Sequence, residues 1–386
     1  MTASSMNPMT PPQTPLPIRP HHKAWHFELP LPQASQVYVG AGIIDTPELW
    51  PQSPGSQTAM VFIDEQLLPL FADLSDRLST ALTAQGWQVQ VRPVKASEQL
   101  KSIDSLYPLY GELLAAGLRR QSLIVAVGGG TVGDAIGFLA ATYLRGVPWV
   151  NVPTTLLSQV DSALGGKTGI NHTEGKNLIG AFHQPCALIC DTELLGDLPE
   201  RERISGLGEM LKYGLIADEA LWQKLVAETQ ALRQGHSAFL SEAIAQSLQI
   251  KARYVLADEY DTLGVRAALN FGHTFAHGIE AAAGYGQLRH GEAVLLGMML
   301  AIELSQKSQI LDEASAKSWL QALQNTSALK LDDLLQSLDL KAMIQAMKKD
   351  KKNENSDIRI LLIEEFGKLI PKDFSEKFII NFLSSR

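Results

Sequence analysis

The sequence predicts an α/β domain with a mostly parallel sheet followed by an all-α domain, and three features of the chain lead there. From about Gln36 to Asp191, short β-rich runs alternate with longer amphipathic stretches, the pattern of βα units. After about Pro199 these runs give way to Ala, Leu, Gln, Glu and Lys at helical spacing. Within the first half, an apolar run closes on a cluster of glycines that opens directly into a helical stretch.

In chain order, the expected strands are Val37 to Ile44, Ala59 to Asp64, Gln88 to Val94, Ser122 to Val127, Trp149 to Val152 and Cys186 to Asp191. Ala135 to Leu144, Asp218 to Arg233 and Ser237 to Leu256 read as helical, and Ile358 to Ile363 is the one β-like return in the second half. No internal repeat is visible. The division expected is a disordered tail over residues 1–25, an α/β domain over 26–197 and a helical domain over 198–386. The tail is rich in Pro, Thr and Ser and has no apolar stretch of signal-peptide type.

A chain of 386 residues that is 45% hydrophobic and 19% charged can bury a core large enough for two or three domains. The net charge of −8 and the lack of a dense Lys/Arg stripe argue against a nucleic-acid partner. No run of about 18 apolar residues predicts a membrane span, so the cytoplasm is the default expectation. Two cysteines, Cys186 and Cys190, cannot form a disulfide framework and read as buried strand residues.

Chemistry concentrates at three places. The run Ser122 to Val127 ends in Gly128-Gly129-Gly130-Thr131-Val132-Gly133-Asp134. A strand, a glycine turn and a helix start leave backbone N–H groups and a helix dipole free to hold a pyrophosphate. The spacing is not Gly-x-Gly-x-x-Gly, and a plain tight turn would use the same residues. Asp134 is either a helix-start acid or a partner for ligand hydroxyls. The segment from Pro153 to Asn171 is too polar for a core and too glycine-rich for a surface helix, which suggests a binding loop. Within it, Gly165-Gly166-Lys167-Thr168-Gly169 points to an anion contact for Lys167. Arg145 is open between helix capping and phosphate binding.

The third place is a Glu/His constellation. His273 and His277 stand four apart, on one face of a helix. His290 follows, and Glu209 precedes them. Three histidines and a carboxylate in apolar helical surroundings fit a catalytic divalent site with an open position. By spacing alone, the ligand pair would be His273 and His277.

The ordered set Gly-Gly-Gly-Thr-Val-Gly-Asp, Pro-Thr-Thr-Leu-Leu-Ser-Gln-Val-Asp-Ser-Ala-Leu-Gly-Gly-Lys-Thr-Gly-Ile-Asn, Gly-Glu-Met-Leu-Lys-Tyr-Gly and Leu-Asn-Phe-Gly-His-Thr resembles 3-dehydroquinate synthase. The resemblance spans about Val37 to Ile363. It implies an NAD-binding α/β domain, then a helical metal-binding domain, with the active site between them. It implies Glu209, His273 and His290 as ligands of zinc, with cobalt as another occupant, and His277 as a proton-handling group. Positions matching NAD contacts are Glu98, Gln99, Lys101, Gly129, Gly130, Thr131, Val132, Gly133, Asp134, Thr154, Thr155, Lys167, Lys176 and the loop Leu194, Leu195, Gly196, Asp197. Positions matching substrate contacts are Asp161, Lys167, Asn177, Lys212, Lys251, Arg266 and Asn270. Arg145 matches a residue that reaches the substrate phosphate from a neighbouring subunit, which implies a homodimer.

The substrate so implied, 3-deoxy-arabino-heptulosonate 7-phosphate, carries a carboxylate and a phosphate, and Lys and Arg are the residues to hold two anions. The chain departs from the family pattern at Ala96-Ser97-Glu98, where Asp-Gly-Glu is usual. It also departs at Tyr260 to Val265, about one residue longer, and at Asn353 to Ser356, which lacks a glycine after Asp350-Lys351-Lys352. Three other readings compete. A sister sugar-phosphate cyclase such as 2-deoxy-scyllo-inosose synthase would tend to differ at Lys251, Arg266 and Asn270. A metal-dependent alcohol dehydrogenase would not need so many anion-binding lysines. A non-catalytic NAD-binding regulator would not need all the ligand positions.

Overall fold

The computed structural model describes Met9 and residues 16–21, 23–284, 286–348 and 357–385. The chain forms two compact units. One takes in Thr14–Leu198 with Ala238–Tyr260, and the other Pro199–Ser237 with Asp261–Arg386.

The first unit is built on an eight-stranded sheet. Its strands are β1 (Arg19–His21), β2 (Ala24–Leu29), β3 (Ser35–Gly40), β4 (Thr58–Asp64), β5 (Gln88–Val94), β6 (Leu123–Gly128), β7 (Trp149–Pro153) and β10 (Ala187–Asp191). The intervening β8 (Lys167–His172) and β9 (Gly175–Phe182) form a hairpin of their own. The order across the sheet is β1-β2-β3-β10-β7-β6-β4-β5. All neighbours from β3 to β5 run parallel, while β1 and β2 extend the edge antiparallel.

Side chains alternate across this sheet because strand residues have a period of two. Val61, Ile63, Val125, Val127, Val150 and Val152 join one apolar cluster. Met60, Phe62, Ile124 and Ala126 join the other with Ile136 and Leu139. Burial on both faces explains why the inner parallel strands β4, β6 and β10 read as nearly unbroken apolar runs. The covering helices include α1 (Leu74–Ala84), α2 (Ile103–Ala115) and α3 (Gly130–Thr142). The chain runs from β4 outward to β5, then returns past β4 to β6 and on through β7 to β10. The sheet therefore reverses direction between β4 and β6, and ligands of open α/β sheets bind at the carboxyl ends of strands flanking such a reversal.

The second unit contains α4 (Glu200–Ala217), α5 (Glu219–Ala227), α6 (Thr229–Gln234), α8 (His273–Ala283), α9 (His290–Lys307), α10 (Glu313–Thr326), α11 (Leu331–Ser337), α12 (Leu340–Lys348), the hairpin β11 (Ile358–Glu365) and β12 (Lys368–Phe374), and α13 (Glu376–Ser384). Between α6 and α8 in sequence, α7 (Leu240–Ala257) packs instead on β2 and β3 of the α/β unit. The centre of the helical unit is α9, buried around its whole circumference from Gly291 to Ile302 and packed against α4, α8, α10 and β11. An all-round apolar helix can only be a core helix in a globular unit.

Several expectations need correction. The strand expected over Val37 to Ile44 stops at Gly40. Gly42 turns left-handed (φ 65°), so Ile43 and Ile44 enter the core from a single helical turn. The helix expected over Asp218 to Arg233 is broken at Glu228, where the Thr229 hydroxyl bonds back to the Leu225 carbonyl at 2.9 Å. The helix expected over Ala135 to Leu144 begins five residues earlier, so Gly130 and Gly133 stand in its first turn, Gly129 caps it and Gly128 ends β6. The polar segment is ordered rather than loop: Ser158–Ser162 forms a π-helical turn and Lys167–His172 is β8. The β-like return at Ile358 to Ile363 has a partner strand, β12, that periodicity did not reveal. Of the tail, residues 1–8 and 10–15 lie outside the described residues, while Arg19–His21 is a strand paired with Ala24 to His26. Lys351 and Lys352 also lie outside the described residues.

Candidate functional site

In the α/β unit the glycine turn sits at the point of reversal. Strand β6 ends at Gly128, whose carbonyl accepts the Thr154 N–H at 3.0 Å, and the Gly129 carbonyl accepts the N–H groups of Val132 and Gly133 as α3 starts. Val132 is fully buried and can present only its backbone to a ligand. Gly129, Gly130, Gly133 and Asp134 line a narrow crevice with Lys167 and Thr168. Asp134 anchors a polar network above this turn. Buried Lys101 donates to Asp134 Oδ2 at 2.6 Å and also to Asn177 Oδ1. Asn177 adopts a left-handed backbone (φ 54°) that Asn171 supports by accepting its N–H at 3.0 Å. Asn171 in turn donates to Glu98 Oε2 at 2.7 Å, and Lys176 lies 3.8 Å from the same carboxylate. Burial lifts the Asp134 carboxyl above its ordinary value, against the pull of the Lys101 ammonium.

Lys251, on α7, donates to both Oδ1 (2.7 Å) and the carbonyl (2.6 Å) of Asp161 in the π-helical turn. Thr154 is buried, and Thr155 bonds Ser158 through its hydroxyl at 2.8 Å. Gln99 is exposed and its carbonyl is taken by the hydroxyls of Ser102 and Ser105. Leu194 and Leu195 point into the core, leaving Gly196 and Asp197 exposed. Arg145 is exposed in the turn after α3, with both it and Leu144 in left-handed conformation. Sequence reasoning passed over Asp64, a buried carboxylic acid at the carboxyl end of β4, on the other side of the sheet reversal. Its signal was present: an Asp closing an apolar strand run.

In the helical unit, Glu209 from the middle of α4, His273 from the start of α8 and His290 from the start of α9 converge, with one ligand atom from each within 4.8 Å of the others. Glu209 has no exposed surface. Its Oε1 lies 3.6 Å from His273 Nε2 and 3.7 Å from His290 Nε2 and accepts no hydrogen bond, while Oε2 rests against the Lys212 ammonium. Three donors about 3.4 Å apart is what tetrahedral bonds of about 2.1 Å to zinc require, and the buried Oε1, facing both imidazoles with no hydrogen-bond donor of its own, has a lone pair left for a cation. The residues therefore fit a divalent metal. His277 does not join this set. Its ring stands perpendicular to that of His273 at 5.7 Å and is exposed, so the spacing-based ligand pair is replaced by a trio drawn from three helices.

Outer contacts orient the imidazoles. His273 Nδ1 is 3.3 Å from the Phe271 carbonyl and His290 Nδ1 is 3.4 Å from Glu280 Oε1, turning Nε2 of each ring toward Glu209. Burial, with help from the Lys212 charge, holds His273 well below the usual histidine range, so it is neutral, the form that binds metal. Gly272 makes the entry to α8 with φ 80°. A Cβ there would meet Met298 at 2.7 Å, so only glycine permits both the turn and the approach of α9. Lys212 pairs with Glu209 Oε2 one turn along α4. Arg266 and Asn270 lie on the helical turn that leads to His273, with Arg266 buried and Asn270 bonded to the Ala267 carbonyl at 3.3 Å.

No helix among the described residues is long and apolar enough to cross a membrane. Cys186 and Cys190 are free thiols, and Cys190 is fully buried.

Solved structures with the same fold include 2-deoxy-scyllo-inosose synthase complexed with carbaglucose-6-phosphate, NAD+ and Co2+ (23% identity, TM-score 0.79, 93% of this chain and 99% of that one). A second is the 2-epi-5-epi-valiolone synthase ValA from Streptomyces hygroscopicus subsp. jinggangensis 5008, with NAD+ and Zn2+ bound (24%, 0.76, 90% and 95%). A more distant one is a probable glycerol dehydrogenase from Sinorhizobium meliloti 1021 (18%, 0.60, 89% and 94%). Residues 91–205 match the family model described as 3-dehydroquinate synthase N-terminal and residues 206–353 the one described as 3-dehydroquinate synthase C-terminal, and with both domains present in order the chain belongs to the 3-dehydroquinate synthase family of sugar-phosphate cyclases.

Proposed function

We propose that the protein is a 3-dehydroquinate synthase, a lyase of the shikimate pathway. It would convert 3-deoxy-D-arabino-heptulosonate 7-phosphate to 3-dehydroquinate and phosphate by transient oxidation, phosphate elimination, reduction, ring opening and intramolecular aldol closure. The observation that carries this reading is the company kept by the Glu209/His273/His290 donor set. Lys212 lies one turn from Glu209, and Arg266 and Asn270 sit on the turn that leads to His273. A doubly anionic substrate needs such cations, and a simple alcohol dehydrogenase does not.

Glu209, His273 and His290 would hold the divalent ion, and the glycine turn with Asp134, Lys101 and Thr154 would hold NAD. When bound, these supply a Lewis acid and a hydride carrier that is regenerated each cycle. The chain's own residues do the rest. His277, exposed beside the ligand rings, would accept and return protons. Lys167, Lys212, Lys251, Arg266, Asn177 and Asn270 bind the carboxylate and phosphate ends, and Asp161 holds the Lys251 ammonium in place. Arg145, exposed on its left-handed turn, would serve the phosphate of a second copy in a homodimer.

The alternative is a sister cyclase making a 2-deoxy-scyllo-inosose or valiolone-type ring, favoured by the identity of the two fold relatives that are cyclases. Retention of Lys251, Arg266 and Asn270 supports the carboxylate-bearing substrate instead. The test is phosphate release by the metal-loaded protein from 3-deoxy-arabino-heptulosonate 7-phosphate with catalytic NAD, the product identified by NMR. Phosphate and dehydroquinate appearing together without net NADH is the expected result. Turnover only with glucose 6-phosphate or sedoheptulose 7-phosphate transfers the protein to a sister activity, and accumulating NADH to a dehydrogenase.

A further inference from the structure

We propose that Arg201 and Glu292 form a clamp that sets the distance between Glu209 and His290 and thereby tunes the affinity of the centre for its divalent ion. The inference rests on the reading of Glu209, His273 and His290 as a metal centre and concerns residues that touch neither metal nor substrate.

His290 is the first residue of α9. The first turn of a helix has unsatisfied N–H groups and frays, which makes it a poor place for a ligand unless something holds it. Glu292 does so twice. Its Oε2 accepts the Arg289 N–H at 2.9 Å, closing a capping box over the turn that carries His290. Both its oxygens also accept from Arg201 of α4, at 2.8 Å from Nε and 2.7 Å from the terminal nitrogen, in the two-pronged geometry that fixes orientation as well as distance. The Glu292 side chain is only 2% exposed.

The same face of α4 then meets α9 twice more before it reaches the ligand. The Gly291 N–H donates to Ser205 Oγ at 3.0 Å. A Cβ at Gly291 would collide with the Ser205 carbonyl, and one at Gly208 with the Gly291 carbonyl, so the two backbones are in direct contact. The next residue along α4 is Glu209. Arg201, Ser205 and Gly208 therefore form a ladder on α4 that ends at one ligand and locks the turn bearing another. Arg201 also donates to the Gln287 carbonyl at 3.2 Å, tying down the approach to that turn.

The test compares Arg201→Met, Arg201→Lys, Glu292→Gln and the Arg201→Met/Glu292→Gln double variant in the full-length protein. Zn2+ affinity is read by competition with a chromogenic chelator, ligand geometry by the visible absorption of the Co2+-loaded protein, and folding by the melting temperature of the metal-free form. Glu292→Gln keeps an acceptor for the cap and removes the charge pair. Each of Arg201→Met and Glu292→Gln should weaken Zn2+ binding by about 10- to 100-fold and alter the Co2+ spectrum. The double variant should be no weaker than the worse single one, because both remove one interaction. Arg201→Lys should recover part of the affinity but not the spectrum, lacking the fork. Folded Arg201→Met with Zn2+ affinity within twofold of the parent and an unchanged Co2+ spectrum overturns the clamp, and it decides the matter even where Glu292→Gln does not fold. A parent protein that binds no ion, or His273→Ala retaining a full complement, overturns the metal centre itself and the clamp with it.

Discussion

The Lys212 ammonium rests against Oε2 of Glu209, three residues back on α4, and neither side chain has more than 2% of its surface exposed. Two charges taken from water together stabilise each other only while both are present. Lys212 therefore neutralises a carboxylate that a divalent ion would otherwise have to satisfy.

Removing that ammonium should leave a buried, unpaired carboxylate. Lys212→Met is expected to destabilise the metal-free protein by about 3–5 kcal/mol, visible as a lower melting temperature. Saturating Zn2+ should restore most of the loss, because the ion supplies the missing positive charge. An unchanged melting temperature without metal would show that the Lys212–Glu209 pair contributes nothing to the stability of the fold.

The ligand assignment separates two variants by what they lose. His273→Ala should abolish both metal retention and turnover. Lys167→Ala, at the exposed start of β8, should keep the metal and raise KM for the phosphorylated substrate. Metal analysis and steady-state kinetics on the same preparations check both, and full metal content in His273→Ala would remove that residue from the centre.

At the glycine turn, Asp134 is held by Lys101 at 2.6 Å. Asp134→Asn should weaken NAD binding about tenfold, roughly 1.4 kcal/mol, because it removes a carboxylate able to accept from ligand hydroxyls and unseats Lys101. Zn2+ content should not change. Titration of NAD by fluorescence, alongside metal analysis, measures the two independently.

Burial pushes the Cys186 thiol up to about 11 and Cys190 higher still. The thiolate is the reactive form, and at pH 8 a thiol of pKa 11 has about one part in a thousand ionised. Native protein at pH 8 should therefore resist iodoacetamide at both cysteines, with reactivity of Cys186 rising about tenfold per pH unit, while denatured protein should be alkylated at both. Rapid labelling of native protein at pH 8, read by intact mass, would contradict the burial.

The α/β half was largely legible from the chain. Strands such as Thr58–Asp64 and Leu123–Gly128 stand where apolar runs placed them, since a strand buried on both faces has to be apolar throughout. The hairpin of β8 and β9 was hidden for the opposite reason. Most of β9 is exposed, so no apolar periodicity marks it, and its glycines and polar residues read as loop. The edge strand β1 carries Pro20 and three residues only, too short to signal. Asp191 looked like an ordinary strand end, yet its carboxylate accepts the N–H groups of Gly42, Ile44 and Glu193 and ties the turn after β3 to the end of β10.

By itself, the sequence determined the local chemistry: a strand, a glycine turn and a helix start able to hold a pyrophosphate, and histidines and a glutamate in apolar helical surroundings. Those properties depend on residues within one or two turns of each other, where propensity and periodicity act. Only the tertiary structure decided which donors meet. Glu209 and His290 are 81 positions apart, and His277, four residues from His273, is left out of the trio. That choice is made by backbone contact at Gly208 and Gly291, by the left-handed entry at Gly272 and by the Arg201–Glu292 pair, close packing between helices that no local pattern of residue types encodes.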